Sequence, residues 1–169
     1  APSRKTHQSP ARRGARSRGR RTNPRRHRVR RTRVSVFADS SALVKLYADE
    51  PGYREIRRLP GMLVSVLARV EVPAAMWRKS RTGELDSDAA SVLVAEFEAD
   101  YFGTHTTAPR FVAVTTAPAV LDTAARLSAV HGLRAYGAVQ LASAVAARDA
   151  DPGCDELAVF DAQLRTAAA

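Results

Sequence analysis

Two aspartates each stand directly after a short apolar run. Asp39 follows Val34-Ser35-Val36-Phe37-Ala38, and Asp161 follows Leu157-Ala158-Val159-Phe160. Both runs read as buried strands, each with an acid at its end. In open parallel sheets, ligands bind outside the carboxyl ends of the strands. If both strands lie near the sheet centre, the two acids share one crevice. Glu71 would join them from a helix packed on that sheet. Three carboxylates around one cleft repel one another unless a cation sits between them. Oxygen ligands of this kind suit Mg²⁺ or Mn²⁺. No His or Cys lies in these stretches, which argues against zinc. Such a site fits phosphodiester hydrolysis, in which a metal supplies hydroxide and offsets charge on phosphate oxygens.

Each acid also has a plainer reading. Asp39 can be a strand-end acid near a helix start, where the dipole favours an anion. Asp161 can be the N-cap of a terminal helix. Glu71 can be a solvated helix-edge carboxylate.

The elements that must position these residues alternate. After the first strand, Ser40 or Ser41 caps a helix around 42–48. Pro51-Gly52 and Pro60-Gly61 bracket a short helix over 53–59, and Met62-Leu63-Val64 reads as a second strand. Leu67, Val70, Ala74 and Trp77 are spaced as one helical face, with Glu71 beside it. Pro73 either sits in that helix's first turn or kinks it. A helix over 87–101 carries Ala89, Val92, Leu93 and Phe97. Phe111-Val112-Ala113-Val114 is a third strand. Val120, Ala124, Leu127 and Val130 mark a helix closed by His131-Gly132. Ala138, Leu141, Ala142 and Val145 mark the next. Strands separated by helices imply parallel pairing through crossovers. Continuous apolar strands imply helices on both faces. The expected fold is α/β, three-layered, with a small parallel sheet.

Charge divides the chain. The formal net charge is +10 over 169 residues. Residues 1–33 hold 13 Arg, one Lys and no acid, so they carry +14, while residues 34–169 carry −4. The first stretch has almost no core-forming residues and reads as a disordered tail. It is either a nucleic-acid arm or one of several plainer things: a solubilising or vector-derived extension, or sequence upstream of a start at Val34. The remaining stretch suits one domain. No apolar run approaches the ~18 residues of a membrane span, and no secretory signal is evident. The single Cys154 excludes an internal disulfide. A cytoplasmic protein is the expectation.

The motifs sharpen this. Asp39-Ser40-Ser41-Ala42-Leu43-Val44-Lys45-Leu46-Tyr47, followed by Glu50, resembles the opening of PIN-domain ribonucleases, and of the VapC toxins of VapBC toxin–antitoxin modules in particular. Ser65-Val66-Leu67-Ala68-Arg69-Val70-Glu71 resembles the family's second motif. Leu133-Arg134-Ala135-Tyr136-Gly137-Ala138-Val139-Gln140-Leu141-Ala142 resembles its third. Val159-Phe160-Asp161-Ala162-Gln163-Leu164 resembles its fourth. The resemblance covers about residues 34–169 and excludes the tail. It implies a Rossmann-like PIN fold and a Mg²⁺- or Mn²⁺-dependent endoribonuclease acting on tRNA or ribosomal RNA. It also implies a homodimer inhibited by a cognate antitoxin. Asp39, Glu71 and Asp161 would be the metal-site acids, with Ser40 and Ser41 as supporting or phosphate-contacting hydroxyls.

One position departs. The family pattern has an aspartate after the tyrosine of the third motif, and Gly137 stands there. Glycine offers neither a ligand nor a proton acceptor, so metal affinity should fall, a second metal being the first loss. Gly137 would be an engineered inactivation, a spontaneous one, or natural divergence.

Two functions of different class follow: an endoribonuclease impaired by Gly137, and a catalytically inactive PIN domain that binds RNA or an antitoxin. A DNA nuclease on the same scaffold is a weaker third. Arg54, Arg57 and Arg58, and Arg78, Lys79 and Arg81, form basic clusters that either contact phosphates or are solvated helix faces. His105 and His131 read as ordinary loop and helix-end residues. Trp77, Leu67 and Val70 read as core or dimer contacts.

Overall fold

A computed structural model describes residues 36–59 and 61–169. The arginine-rich stretch of residues 1–33, and Val34 and Ser35 of the first strand run, lie outside the described residues.

The described chain alternates strand and helix: β1 (Val36–Ala38), α1 (Ser40–Tyr47), α2 (Tyr53–Arg57), β2 (Met62–Ser65), α3 (Ala68–Arg81), α4 (Ser87–Phe102), β3 (Phe111–Val114), α5 (Pro118–His131), α6 (Ala135–Ala150), β4 (Glu156–Ala158) and α7 (Ala162–Ala168). The strands form one all-parallel sheet in the order β3-β2-β1-β4. The fold is α/β, with helices around the sheet. Val36 pairs with Met62 and with Glu156, and Ala38 with Val64 and Ala158. β1 is therefore central, and Asp39 leaves the sheet at its middle.

Successive strand residues point to opposite faces, and the core divides accordingly. Ala38, Met62, Val64 and Phe111 pack with residues of α1 to α4. Phe37 and Leu63 pack on the other face with Ala147 of α6 and with Cys154. Val120, Leu141 and Leu164 tie α5, α6 and α7 together. Among the described residues no helix is long and apolar enough to cross a membrane.

Three expectations need correction. β4 runs over Glu156–Ala158, so Val159 and Phe160 lie beyond it. Its partner β1 ends at Ala38, and the last ladder bond is from Asp39 N–H to the Ala158 carbonyl, 3.1 Å. Second, α3 buries Ala68, Val72 and Met76, while Val70 is 62% and Trp77 39% exposed. The Leu67/Val70/Ala74/Trp77 stripe therefore faces outward, because the small Ala68 is the residue that lets α3 approach the core. Trp77 and Val70 are not core residues. Third, Val92 of α4 and Val130 of α5 are exposed, while Ala90 and Phe97, and Val120 and Ala124, are buried.

Pro73 lies inside α3, neither in its first turn nor at an end. The carbonyl it leaves without a donor is that of Arg69, an exposed residue, so water can supply the bond. Gly132 ends α5 with φ 64, the left-handed conformation expected of it.

Candidate functional site

Asp39 follows β1 and is the N-cap of α1, which corrects the expectation of a Ser40 or Ser41 cap: both serines lie in the first helical turn. Its Oδ1 accepts from the Ala42 backbone N–H at 3.1 Å and from the Ser41 hydroxyl at 2.7 Å. The residue is 5% exposed. Burial pushes its carboxyl above the usual aspartate range; the Ser41 hydroxyl and the N–H groups of Ala42 and Ser41 pull it partway back, and the charge of Glu71 adds to the rise. The plain reading, a strand-end acid at a helix start, is thus realised, but at a buried position beside a second acid.

Glu71 comes from the start of α3. Its Oε2 accepts from the Ser40 hydroxyl at 2.6 Å and from the amide of Gln140. Gln140 Nε2 also donates to Ser40 Oγ at 2.9 Å. Glu71 is therefore no free helix-edge carboxylate: residues from α1, α3 and α6 meet on it. Neither Asp39 nor Glu71 belongs to an ion pair among the described residues.

Asp161 follows a different course. It is exposed and caps α7, its Oδ1 accepting from Leu164 N–H at 2.7 Å. Its backbone is tied to the same end of the sheet through Ser41, whose Oγ accepts from Phe160 N–H at 2.8 Å and Asp161 N–H at 3.2 Å. Ser41 thus joins the Asp39 carboxylate to the chain leaving β4. Above this junction the Lys45 ammonium sits 4.4 Å from the Phe160 ring centroid. Gly52 has φ 93, and a Cβ there would run into the same ring.

Asp39, Glu71, Ser40 and Ser41 are therefore brought together, and Asp161 is joined by its backbone. Among the described residues no three of His, Cys, Asp and Glu gather closely enough to hold a metal ion. Gly137 lies in the first turn of α6, three residues before Gln140 and so on the same side of the helix. A Cβ at Gly137 would meet only Leu133 Cδ2, at 3.9 Å, an ordinary van der Waals contact.

The basic clusters are unequal. Lys79 is held by Glu50 and Glu84, and Arg57 by Asp49 and the Leu46 carbonyl. Both have structural partners, while Arg58, Arg78 and Arg81 are exposed. His105 lies in an exposed loop and His131 at the end of α5.

Gln140 is the residue that motif reading passed over. Its signal was present: one amide in an otherwise apolar stripe of Ala138, Leu141 and Ala142. A polar side chain at a core position calls for a partner, but spacing alone does not name Glu71.

No model of a known protein family matches the chain, and no curated protein matches it.

Proposed function

We propose that the chain is a Mg²⁺- or Mn²⁺-dependent endoribonuclease of the PIN-domain type, similar to the cytoplasmic VapC toxins, impaired by Gly137. Its substrate would be tRNA or ribosomal RNA, and its partners a second copy and an antitoxin. The observation that carries this is the pair Asp39 and Glu71 at the carboxyl end of the central strand, without a cation of their own. The four ordered motifs support it.

The donor set fits a hard divalent cation. Mg²⁺ is commonly held by one or two carboxylates, with water and substrate phosphate completing its shell. Asp39 and Glu71 would hold it; the Asp161 carboxylate caps α7, and only its backbone is tied to this end of the sheet. When bound, it would supply a water of lowered pKa and charge compensation for the phosphate. One of the carboxylates would accept the proton of the attacking water. Ser40 fixes one oxygen of Glu71, leaving the other for the ligand. Ser41 holds the Phe160–Asp161 backbone against Asp39.

The test is cleavage of tRNA with Mg²⁺ by the chain and by Gly137→Asp. The expected result is that the Asp variant cleaves faster, and that chelator and Asp39→Asn each abolish cleavage. No cleavage by the Asp variant would sink the enzymatic reading. A second reading, an inactive RNA- or antitoxin-binding module, is favoured by Gly137 and by the use of Asp161 as a helix cap. It requires RNA binding without cleavage, even with Gly137→Asp.

A further inference from the structure

We propose that Gln140 belongs to the cation site: its amide nitrogen positions Glu71, and its amide oxygen is a neutral donor to the divalent cation. This rests on the metal-site reading above.

Gln140 is 3% exposed and lies on α6 among the buried Ala138, Leu141 and Ala142. Its amide nitrogen donates to Ser40 Oγ and to Glu71 Oε2. Its Oε1 is buried and has no hydrogen-bond partner among the described residues. Turning the amide over would not cure this, because it would set Oε1 against the Glu71 carboxylate, acceptor facing acceptor. The orientation is thus dictated by Glu71, and the bare carbonyl follows from it.

A buried acceptor without a partner costs about 1–3 kcal/mol. A leucine or methionine would fill the same apolar stripe without that cost. The amide does two things those residues cannot. Its nitrogen fixes Glu71, and its carbonyl oxygen is left unpaired on a side chain already bonded to Ser40 and Glu71. Side-chain carbonyls are ordinary ligands of hard cations. A neutral oxygen is also the donor least in conflict with two acids at one site. Gln140 lies one helical turn from Gly137, so it supplies an oxygen on the side of α6 where residue 137 supplies none.

The experiment is calorimetric titration of the metal-free full chain with Mn²⁺ at neutral pH, with thermal melting of each variant before metal is added. Glu71→Gln serves as the reference for loss of the site. Gln140→Met is expected to lose about tenfold or more in Mn²⁺ affinity, and its metal-free melting is expected to hold or rise. A purely structural glutamine would behave in the opposite way, with melting lowered and Mn²⁺ affinity kept. Unchanged affinity in Gln140→Met, with a loss in Glu71→Gln, overturns the role of Gln140 and leaves the metal site standing. Should the Met variant not fold, Gln140→Asn, which keeps the amide but withdraws it by one methylene, carries the test: weaker Mn²⁺ binding supports the proposal, and equal or tighter binding overturns it. If the unsubstituted chain does not bind Mn²⁺, or binds it as Glu71→Gln does, the metal-site reading fails and this proposal with it.

Discussion

Helices α1 and α3 are joined by polar side chains at both ends, and the two junctions are built on opposite electrostatic rules. Near the C-terminal end of α1, Lys45 and Lys79 share Glu50, and Lys79 also holds Glu84. Two cations meet two acids. Near the N-terminal end, Asp39 and Glu71 meet Ser40, Ser41 and Gln140, all neutral. The shifts follow suit. Burial alone would raise the Glu50 carboxyl, but the hydrogen bonds and charges of Lys45 and Lys79 hold it below its usual value. Burial raises that of Asp39, and Glu71 raises it further. One junction is complete in the chain's own residues. The other holds two acids and no cation among the described residues, which is the arrangement the proposed cation site needs.

The contrast can be broken from either side. The largest effect on stability belongs to the closed junction. Glu50→Gln leaves Lys45, whose side chain is 9% exposed, without its carboxylate, and is expected to cost about 2 kcal/mol at neutral pH. Because the folded Glu50 pKa is lowered, its contribution is present above the unfolded value near 4.5 and is lost as pH falls through the folded value. Melting curves of the two proteins should converge in acid. A constant gap would mean that packing, not charge, holds this end.

At the open junction, Gly137→Asp is expected to raise Mn²⁺ affinity about tenfold and to change stability by no more than about 1 kcal/mol, since an acid suits a first helical turn. Unchanged affinity would place residue 137 outside the site.

Asp39→Asn should act against the usual rule that losing a cap acid destabilises. Asparagine caps as well, and it removes a buried charge. Since the folded Asp39 pKa is raised, its stabilising contribution is complete below the unfolded value of 3.8 and is lost as pH rises through the folded value. The metal-free variant should therefore melt higher at pH 7 and equal the parent below pH 3.8. A lower melting point at pH 7 would show that the carboxylate is satisfied without a cation.

The smallest effect belongs to the outward stripe of α3, which serves neither junction. Val70→Lys is expected to change stability by about 0.5 kcal/mol or less. A larger loss would show that this face is covered in an assembly.

The sequence reveals most of this fold and part of the site. Strand runs and turn residues located every element of the sheet: β1 and β2 are buried and written as unbroken apolar runs, while β3 and β4, at the sheet edges and partly exposed, were found from apolar runs that burial does not require. They overran at Val159-Phe160, where the apolar character continues after the ladder has lost its partner. The α3 face was ambiguous because Leu67/Val70/Ala74/Trp77 and Ala68/Val72/Met76 both keep helical spacing. Only contact with α1 chooses between them. Asp39 and Glu71 were legible from their place after a strand and in a helix start. The hydrogen bonds of Gln140 were not, because they join residues 69 and 100 positions apart.

The most direct measurement is the melting temperature of the chain and of Asp39→Asn, each with and without saturating Mn²⁺. A ligand at 100 times its dissociation constant stabilises by about 2.7 kcal/mol, a rise of several degrees for a domain of this size. The expected result is that rise in the chain and none in Asp39→Asn. An equal rise in both, or none in either, would contradict a cation site at the open end of α1.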